Sequence, residues 1–253
     1  MRKLITVCYG AAMILPAFRR GSRSRATNFG PISTTRYSVR GVGFDMVRVP
    51  PGRFVDGEGL SKRERLVSHA FEMGVSLVTE KLWWTVMRID PYTASGADRP
   101  MSNMTWDQAQ DFLDRLRSLG FSGFRLPTEA EWAWAARCGV PTYWAGSDRS
   151  TPVMVDAEES EGVSARVSSR APSAVGAFDF SGSLWEWQQD WFGGLGAGID
   201  AQGPEQGDEF GRANRGGAWD RDLDSDARVN ARDDGTEGDR MGSLGFRLVR
   251  DAS

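Results

Sequence analysis

The stretch Phe124-Arg-Leu-Pro-Thr-Glu-Ala-Glu-Trp-Ala-Trp-Ala-Ala-Arg137 carries the most specific local signal in the chain. Thr128 directly follows a proline and stands three residues before Glu131, which is the spacing of a capping box. The spacing predicts a helix that begins at Thr128, turns Trp132 toward the core and ends at Gly139.

Two further helices are predicted upstream of this stretch. Thr79 is a plausible N-cap for a short helix that runs through Met87. Thr105 and Gln108 have capping-box spacing, and the apolar residues that follow recur on one helical face until Gly120. The chain is thus expected to contain few helices.

The remaining regular structure is predicted to be short strands joined by long loops. Alternating apolar residues flank a Pro-Pro-Gly turn within Gly43–Asp56, a pattern typical of a β-hairpin. Further strands are expected near Leu184–Asp190, Arg215–Trp219 and Gly245–Arg250, and long polar loops over residues 145–176 and 193–214. The fold class that these elements predict is α+β.

The amino-terminal part of the chain differs in charge from the rest. Residues 1–40 hold eight basic residues and no acid, so their formal charge is +8 within a chain of net charge −3. We interpret residues 1–18 as a signal peptide or apolar leader, 19–40 as a basic linker and 41–253 as one domain. An exported or cell-surface protein is favoured, with lipidation at Cys8 or a cytoplasmic location as the alternatives.

The numbers of cysteine and histidine residues exclude several kinds of site. Cys8 and Cys138 are the only cysteines, which excludes a disulfide framework and a cysteine-rich zinc site. His69 is the only histidine, so a three-histidine metal site is impossible.

Four stretches of the chain resemble the formylglycine-generating-enzyme family, also called the sulfatase-modifying-factor domain. They are Phe71–Thr79, Phe124–Arg137, Phe180–Trp187, and Arg215–Trp219 together with Gly245–Val249. They occur in the family's order and span most of residues 43–250. The resemblance implies a C-type-lectin-like fold with a small twisted sheet, two or three helices and extensive loops.

These motifs are interpreted as scaffold rather than as chemistry. In Trp185-Glu186-Trp187 the strand alternation predicts both indoles on one face and the carboxylate on the other. The glycines after Arg215 are expected to let the backbone pass close to a neighbouring segment. The predicted scaffold residues are Trp185, Trp187, Arg215, Trp219, Arg228, Arg232, Gly245, Phe246 and Arg247.

The resemblance also implies that this chain lacks the family's catalytic chemistry. Catalytic members use two cysteines, two and seven positions after the tryptophan that corresponds to Trp219, to hold copper. Here those positions are Arg221 and Asp226, and one histidine cannot replace the iron-binding histidines of a related branch. A structural calcium site of the family uses an asparagine where this chain has Ser183, so we expect no cofactor and no metal, with a structural calcium as the alternative.

A branch of the family without the cysteines serves as the variable protein of diversity-generating retroelements, and this chain resembles that branch. The region of about 219–243, here called the display segment, lies between two of the family motifs near the end of the sequence. The predicted ligand-binding positions are Asp220, Arg221, Asp222, Asp224, Asp226, Asn230, Asp233, Asp234, Thr236, Glu237 and Ser243. An ordinary accessory member without the cysteines, or an enzyme with unrecognised chemistry, is the alternative.

The charge of these positions predicts the kind of partner. Six aspartates and one glutamate stand against one arginine, a formal sum of −6, so we expect exposed side chains and a surface ligand with a cationic patch. Nucleic acid is not expected at this face, and the protein is expected to be a monomer. In the alternative interpretation the acids only maintain solubility, and Trp191 and Phe192 make the contact.

Overall fold

Three α-helices and twelve short β-strands form the part of the chain that the structure, a computed structural model, describes. That part comprises residues 32–89, 97–137, 139, 142–145, 166–168, 172–205, 210–220 and 226–252. The helices are α1 (Glu80–Met87), α2 (Trp106–Ser118) and α3 (Glu129–Arg137). The strands are β1 (Thr34–Val39), β2 (Val42–Val49), β3 (Gly52–Asp56), β4 (Arg63–Val67), β5 (Phe71–Gly74), β6 (Phe124–Arg125), β7 (Trp185–Trp191), β8 (Gly198–Ile199), β9 (Arg212–Arg215), β10 (Arg232–Gly235), β11 (Leu244–Gly245) and β12 (Val249–Asp251). The predicted α+β class is confirmed.

The strands form three sheets. The largest has the order β1-β2-β5-β12-β6 and is antiparallel throughout, with β12 inserted between β5 and β6. The second has the order β10-β9-β7-β11, in which β11 runs parallel to β7, and a third small sheet joins β3, β4 and β8. The second sheet contains β10 and therefore supports the display segment.

The helix starts follow the predicted capping pattern. The Thr79 side chain accepts a hydrogen bond from Leu82 N at 3.2 Å at the start of α1. Thr105 and Gln108 complete a capping box at the start of α2. Thr128 and Glu131 exchange the same pair of hydrogen bonds before α3. Because the caps satisfy backbone donors that the helix itself leaves free, they fix where each helix begins.

The core is rich in aromatic side chains. Trp83, Phe112 and Phe246 pack ring against ring, with centroids 5.4–5.9 Å apart. On the other side of the large sheet Trp132 meets Phe180 edge-on at 5.2 Å. Both clusters use residues of the quoted motifs, which therefore serve the packing of the scaffold.

Two predictions about strands near the amino terminus are wrong. Gly43–Asp56 is not a hairpin, because β2 pairs with β1 and β5 whereas β3 pairs with β4 in another sheet. Two consecutive prolines, Pro50 and Pro51, supply no backbone N–H, so the chain leaves one sheet there and enters the next. Residues 34–39, predicted as linker, form β1 and belong to the large sheet.

The carboxyl-terminal strands are shorter than predicted. Strand β7 confirms the prediction for Leu184–Asp190, but β9 ends at Arg215, where a strand was expected to begin. Gly216 and Gly217 have positive φ angles of 109° and 63°, which turns the chain out of the strand. The predicted strand near Gly245–Arg250 is split into β11 and β12.

The predicted leader, residues 1–18, lies outside the described residues. Within the described part of the chain, none of the helices is both long enough and apolar enough to span a bilayer.

Candidate functional site

The display segment is attached to the scaffold through a buried network of charged side chains. Arg215, at the end of β9, has no exposed side-chain surface and donates to Asp56 at 2.8 Å and to Glu129 at 2.9 Å. Arg232, at the start of β10, donates to both carboxylate oxygens of Glu129 at 2.8 Å. Glu129, in the first turn of α3, thus binds both the end of β9 and the start of β10.

Two carboxylates of the buried network have further partners. Asp56 also accepts a hydrogen bond from Arg65 at 2.9 Å and lies 3.4 Å from Arg137. Asp190 accepts from the backbone N–H of Glu129 at 2.8 Å and from that of Gly203 at 2.6 Å. Buried charges are tolerated only when they are paired and hydrogen-bonded in this way, so the network imposes one arrangement on the segments it joins.

The charges shift the protonation equilibria of the buried acids. Burial alone would raise the pKa of Asp56, but the charge of Arg215, supported by Arg137 and Arg65, outweighs burial and lowers this pKa to about 2. Burial would likewise raise the pKa of Glu129, yet Arg215 and Arg232 hold it below its usual range. Asp190 behaves in the opposite way, because burial and the charge of Glu129 raise its pKa.

A second buried ion pair, between Arg247 and Glu186, holds the chain just after the display segment. Arg247 donates to both carboxylate oxygens of Glu186 at 2.7 Å and to the carbonyl oxygens of Gly74 at 3.1 Å and Phe178 at 2.9 Å. Glu186 lies on β7 between the two tryptophans, as the alternation predicted, and is fully buried. The final motif is therefore tied to β7 by a bidentate ion pair and to β5 by the hydrogen bond to the Gly74 carbonyl.

Between these anchors several backbone groups of the display segment also bind the scaffold. Val229 N donates to the Tyr143 carbonyl at 2.9 Å, and the Glu237 carbonyl accepts from Trp106 N at 3.1 Å. Met241 and Ser243 likewise offer their carbonyl oxygens, to Asn103 N at 3.0 Å and Trp185 N at 2.9 Å. Backbone hydrogen bonds do not depend on side-chain identity, so these contacts tolerate sequence change.

The chain just before the display segment requires glycine at two positions. Gly217 has a φ of 63°, and a Cβ atom there would collide with the carbonyl group of Asp226. Gly211 faces the backbone of Gly235 in the same way, with a φ of 84°. The close approach expected after Arg215 is therefore present, and it brings the turn against the backbone of residue 226.

The predicted ligand-binding positions are not equally exposed. Asp220 and Thr236 are exposed, and five others are partly exposed, namely Asp226, Asn230, Asp233, Asp234 and Glu237. Arg221, Asp222 and Asp224 lie outside the described residues. The prediction for Ser243 is wrong, because it is buried beside β11, where its carbonyl accepts from Trp185 N.

Glu237 and Trp191 have scaffold roles that the sequence did not indicate. Glu237 accepts hydrogen bonds from Arg212 Nε at 3.0 Å and Nη2 at 2.8 Å. The Arg212 guanidinium lies between the rings of Trp106 and Trp191, 3.9 Å and 3.6 Å from their centroids. Trp191 therefore packs against Arg212 of the same chain, so its ring is not free to contact a ligand.

The predicted scaffold residues are buried with three exceptions. Trp185, Trp187, Arg215, Gly245, Phe246 and Arg247 are buried. Arg232 is partly exposed, yet its guanidinium is engaged by Glu129, whereas Trp219 and Arg228 are partly exposed at the surface. Sequence reasoning missed Asp56 and Glu129, whose partners are 159 and 86 residues away along the chain.

One group of side chains has the composition of a metal site, but its centre already holds a cation. Within the described residues His69, Glu131 and Asp251 are the only such group, with ligand atoms within 4.8 Å of one another. Arg125 donates to Glu131 at 2.7 Å and 2.6 Å and to Asp251 at 2.7 Å. Because this guanidinium compensates both carboxylates, the group is a salt-bridge cluster.

A cleft of about 430 Å³ borders the display segment. Its walls come from three places, which are the turn between β3 and β4, residues 194–195, and residues within 228–232. Of the described charged residues, Arg63, Arg228, Arg232 and Glu58 line it. We call it the arginine cleft.

The fold and the site together define a class of protein in which a rigid α+β scaffold holds a backbone-anchored carboxyl-terminal segment at its surface. The chain belongs to the family of the sulfatase-modifying factor enzyme 1-like domain, whose sequence profile matches residues 38–252. The resemblance inferred from the motifs is thereby confirmed.

Curated relatives match a part of the chain. It is 31% identical over 179 residues to a formylglycine-generating enzyme of Streptomyces coelicolor, covering 61% of this chain and 54% of that protein. It is 34% identical over 162 residues to the serine/threonine-protein kinase pkn1 of Chlamydia pneumoniae, covering 61% of this chain and 24% of the kinase. The matched region thus spans about half of the first relative and about a quarter of the second.

Solved structures share the fold. Treponema denticola variable protein 1 superposes with a TM-score of 0.77 at 26% identity, covering 87% of this chain and 99% of that one. PvdO from Pseudomonas aeruginosa has a TM-score of 0.69 at 19% identity, covering 82% and 94% of the two chains, and supports the fold alone. The predicted likeness to variable proteins is thus matched by a structure that carries that name.

Proposed function

We propose that this chain is a non-catalytic ligand-binding protein that presents a changeable surface on the display segment. The observation that carries the proposal is how the segment is held. Its backbone hydrogen bonds, the Arg215–Glu129–Arg232 anchor and the Arg247–Glu186 fork fix its path. Side chains such as those of Asp220 and Thr236 are exposed at the surface, so they are available to a ligand.

The absence of cysteine at two motif positions supports the non-catalytic part of the proposal. Arg221 and Asp226 stand where the motif comparison places the two cysteines of catalytic members, and neither side chain can provide a thiolate for a soft metal. The family's oxidation of a substrate cysteine therefore has no copper ligand in the matching positions.

The likeness to Treponema denticola variable protein 1 supports the ligand-binding part. At 26% identity the match covers 87% of this chain and 99% of that one, so the same scaffold occurs in a protein called variable. In our proposal the exposed positions differ among versions of this protein, while the buried arginines stay the same.

The catalytic alternative is tested by an oxidase assay. The protein is incubated with Cu(I) and a cysteine-containing sulfatase peptide, and formylglycine is measured by mass spectrometry. We expect no product above the protein-free background. An active formylglycine-generating enzyme serves as the positive control, and turnover by this chain would overturn the proposal.

The changeable surface is tested at the level of the gene. Sequencing this gene and its surroundings in related isolates is expected to reveal a near-copy repeat of its 3′ end and a neighbouring reverse-transcriptase gene. Differences among isolates should concentrate at the exposed positions and spare Arg215, Arg232 and Arg247. Differences spread evenly over the whole chain, with no repeat, would contradict this part of the proposal.

A further inference from the structure

The arginine cleft is a cationic concavity beside an acidic segment. Among the described residues, three arginines line it, Arg63, Arg228 and Arg232, against one acidic residue, Glu58. Its volume of about 430 Å³ lies within the usual range for small-ligand sites. The charge of this cleft is therefore opposite to that of the predicted display positions.

Arg228 has an incomplete set of partners. Within the described residues it forms no ion pair, and its Nε is buried without a hydrogen-bond acceptor. Its guanidinium carbon lies 5.3 Å and 5.8 Å from the ring centroids of Tyr143 and Trp144, contacts that offer no acceptor for the N–H. Because Arg228 is partly exposed and lines the cleft, an anion there can approach a positive charge that no carboxylate of the described residues compensates.

The other two arginines differ in how freely they can bind. Arg232 is fully engaged, because Glu129 takes two of its nitrogens and the Gly193 carbonyl takes the third at 2.8 Å. Arg63 is exposed and donates through Nη1 to two neighbouring carbonyl oxygens, with no ion pair among the described residues. Arg63 and Arg228 are thus the two cations that remain for a ligand.

The chemistry of the cleft already includes one carboxylate. Glu58 accepts a hydrogen bond from Asn230 Nδ2 at 3.1 Å, while the Oδ1 atom of Asn230 is buried without a partner. Glu58 lies on the turn between β3 and β4, so an intramolecular carboxylate reaches the display segment from the scaffold. It partly offsets the positive charge that a ligand would meet.

We propose that the arginine cleft binds a carboxylate group of the ligand, which pairs with Arg63 and Arg228 while Glu58 opposes it. Planar guanidinium groups bind carboxylates through charge-assisted hydrogen bonds, which supply both strength and geometry. The inference rests on the proposed function, because it assigns one chemical group to the ligand that the display segment faces.

Binding is measured by isothermal titration and NMR on the intact chain at about 50 mM salt. The probes are glutarate, the acetylated and amidated peptide Gly-Glu-Gly, its neutral counterpart Gly-Gln-Gly, and inorganic phosphate. We expect saturable binding of glutarate, of the acidic peptide or of both, and none of Gly-Gln-Gly. Glutarate alone would indicate a small carboxylate as ligand, and the acidic peptide a residue of a protein partner.

Four variants separate the cleft from general charge effects. Arg228→Gln is expected to weaken binding of the acidic probe about tenfold, the effect of losing a charged hydrogen bond. Arg63→Gln should weaken it less, whereas Glu58→Gln should strengthen it by removing the competing carboxylate. The matched control is Arg48→Gln, which removes one exposed charge from β2 outside the cleft and should leave binding unchanged.

The proposal is overturned if neither acidic probe binds, if Gly-Gln-Gly binds as well as Gly-Glu-Gly, or if phosphate binds more tightly than glutarate. Equal losses in Arg228→Gln and Arg48→Gln would also overturn it. Thermal unfolding of every variant identifies folding defects, and Arg63→Gln keeps the test open because its side chain is exposed. An empty cleft in a chain that forms no formylglycine refutes this inference and leaves the proposed function standing.

Discussion

Single side chains divide the carboxyl-terminal region into scaffold and surface. Trp187 is completely buried and donates from Nε1 to the Met104 carbonyl at 3.3 Å. Asp220 is exposed in the same region. Substitutions at these two positions should therefore differ strongly in their effect on folding.

We expect Trp187→Ala to lower the free energy of unfolding by about 3–5 kcal/mol, the usual cost of removing a buried aromatic ring. Asp220→Ala should change it by less than about 0.5 kcal/mol. Trp219→Ala should fall between the two, because this indole is partly exposed and not buried as the motif suggested. Urea unfolding followed by fluorescence measures the free energy of unfolding of all three variants. Equal losses would contradict the division of this region into scaffold and surface.

The lowered pKa of Asp56 makes the free energy of unfolding depend on pH under acidic conditions. Its folded-state pKa of about 2 lies below the ordinary value of 3.8, so its ionised form is stabilised by folding. That contribution is fully present above about pH 4 and is lost as the pH falls toward 2. Glu129 acts in the same direction, whereas the raised pKa of Asp190 acts in the opposite one.

We expect Asp56→Asn to cost about 3–5 kcal/mol at pH 7, because it leaves buried guanidinium groups without their counter-charge. The free energy of unfolding of the Asp56→Asn variant should also fall less than that of the wild type between pH 4 and pH 2.5. Asp114→Asn, at an exposed surface pair on α2, is the control and should follow the wild type. If the wild type loses no stability in this interval, the assignment of the acid-sensitive charge is wrong.

At the scale of elements, the turn after β9 determines where the display segment lies. Gly217 has a φ of 63°, and residue 226 passes so close that a side chain has no space. We expect Gly217→Ala to lower the free energy of unfolding by at least about 2 kcal/mol, because backbone strain and a steric clash add together. Gly238→Ala is the control, since a Cβ atom there meets nothing within 4 Å. Equal thermal midpoints for the two variants would contradict this view of the turn.

Elements whose signals are local were predictable from the sequence. The caps at Thr79, Thr105 and Thr128 lie within three residues of their partners, and all three helices begin where predicted. The pairing of strands was not predictable around Pro50, because alternation marks a strand but does not reveal its neighbour.

The candidate site was predictable only in outline for a similar reason. Motif spacing located the display segment, but the contacts that fix it join residues far apart in the chain, as Asp56 and Arg215 do. Ser243 has the composition of a loop residue, yet its position beside β11 buries it. Polarity alone does not determine exposure once a tertiary contact covers the residue.

At the scale of the whole molecule, the predicted display positions and the arginine cleft have formal charges of opposite sign. The predicted display positions carry a formal charge of −6, whereas the arginine cleft is lined by three arginines and one glutamate. A partner that meets both surfaces needs a cationic patch for the first and an acidic group for the second. Such a pattern favours a protein surface with mixed charge and disfavours nucleic acid, whose backbone is uniformly negative.

We expect association with a cationic partner surface to depend strongly on ionic strength. Lysine-coated beads should retain the protein at about 50 mM salt and release most of it at about 500 mM, because salt screens exposed charges within a few ångströms. Replacing Asp220, Asp222 and Asp224 together by asparagine should weaken retention at low salt without changing the thermal midpoint.

The matched control is the triple substitution of Asp107, Asp111 and Asp114 by asparagine on α2, which removes the same charge from a helix outside the display segment. If the control loses as much retention as the display variant, net charge alone explains the binding and the acidic face has no special role. Retention that persists unchanged at high salt would instead indicate an apolar contact. Trp191→Ala is unsuitable as a test of that contact, because Trp191 already packs against Arg212 and its loss would disturb the scaffold.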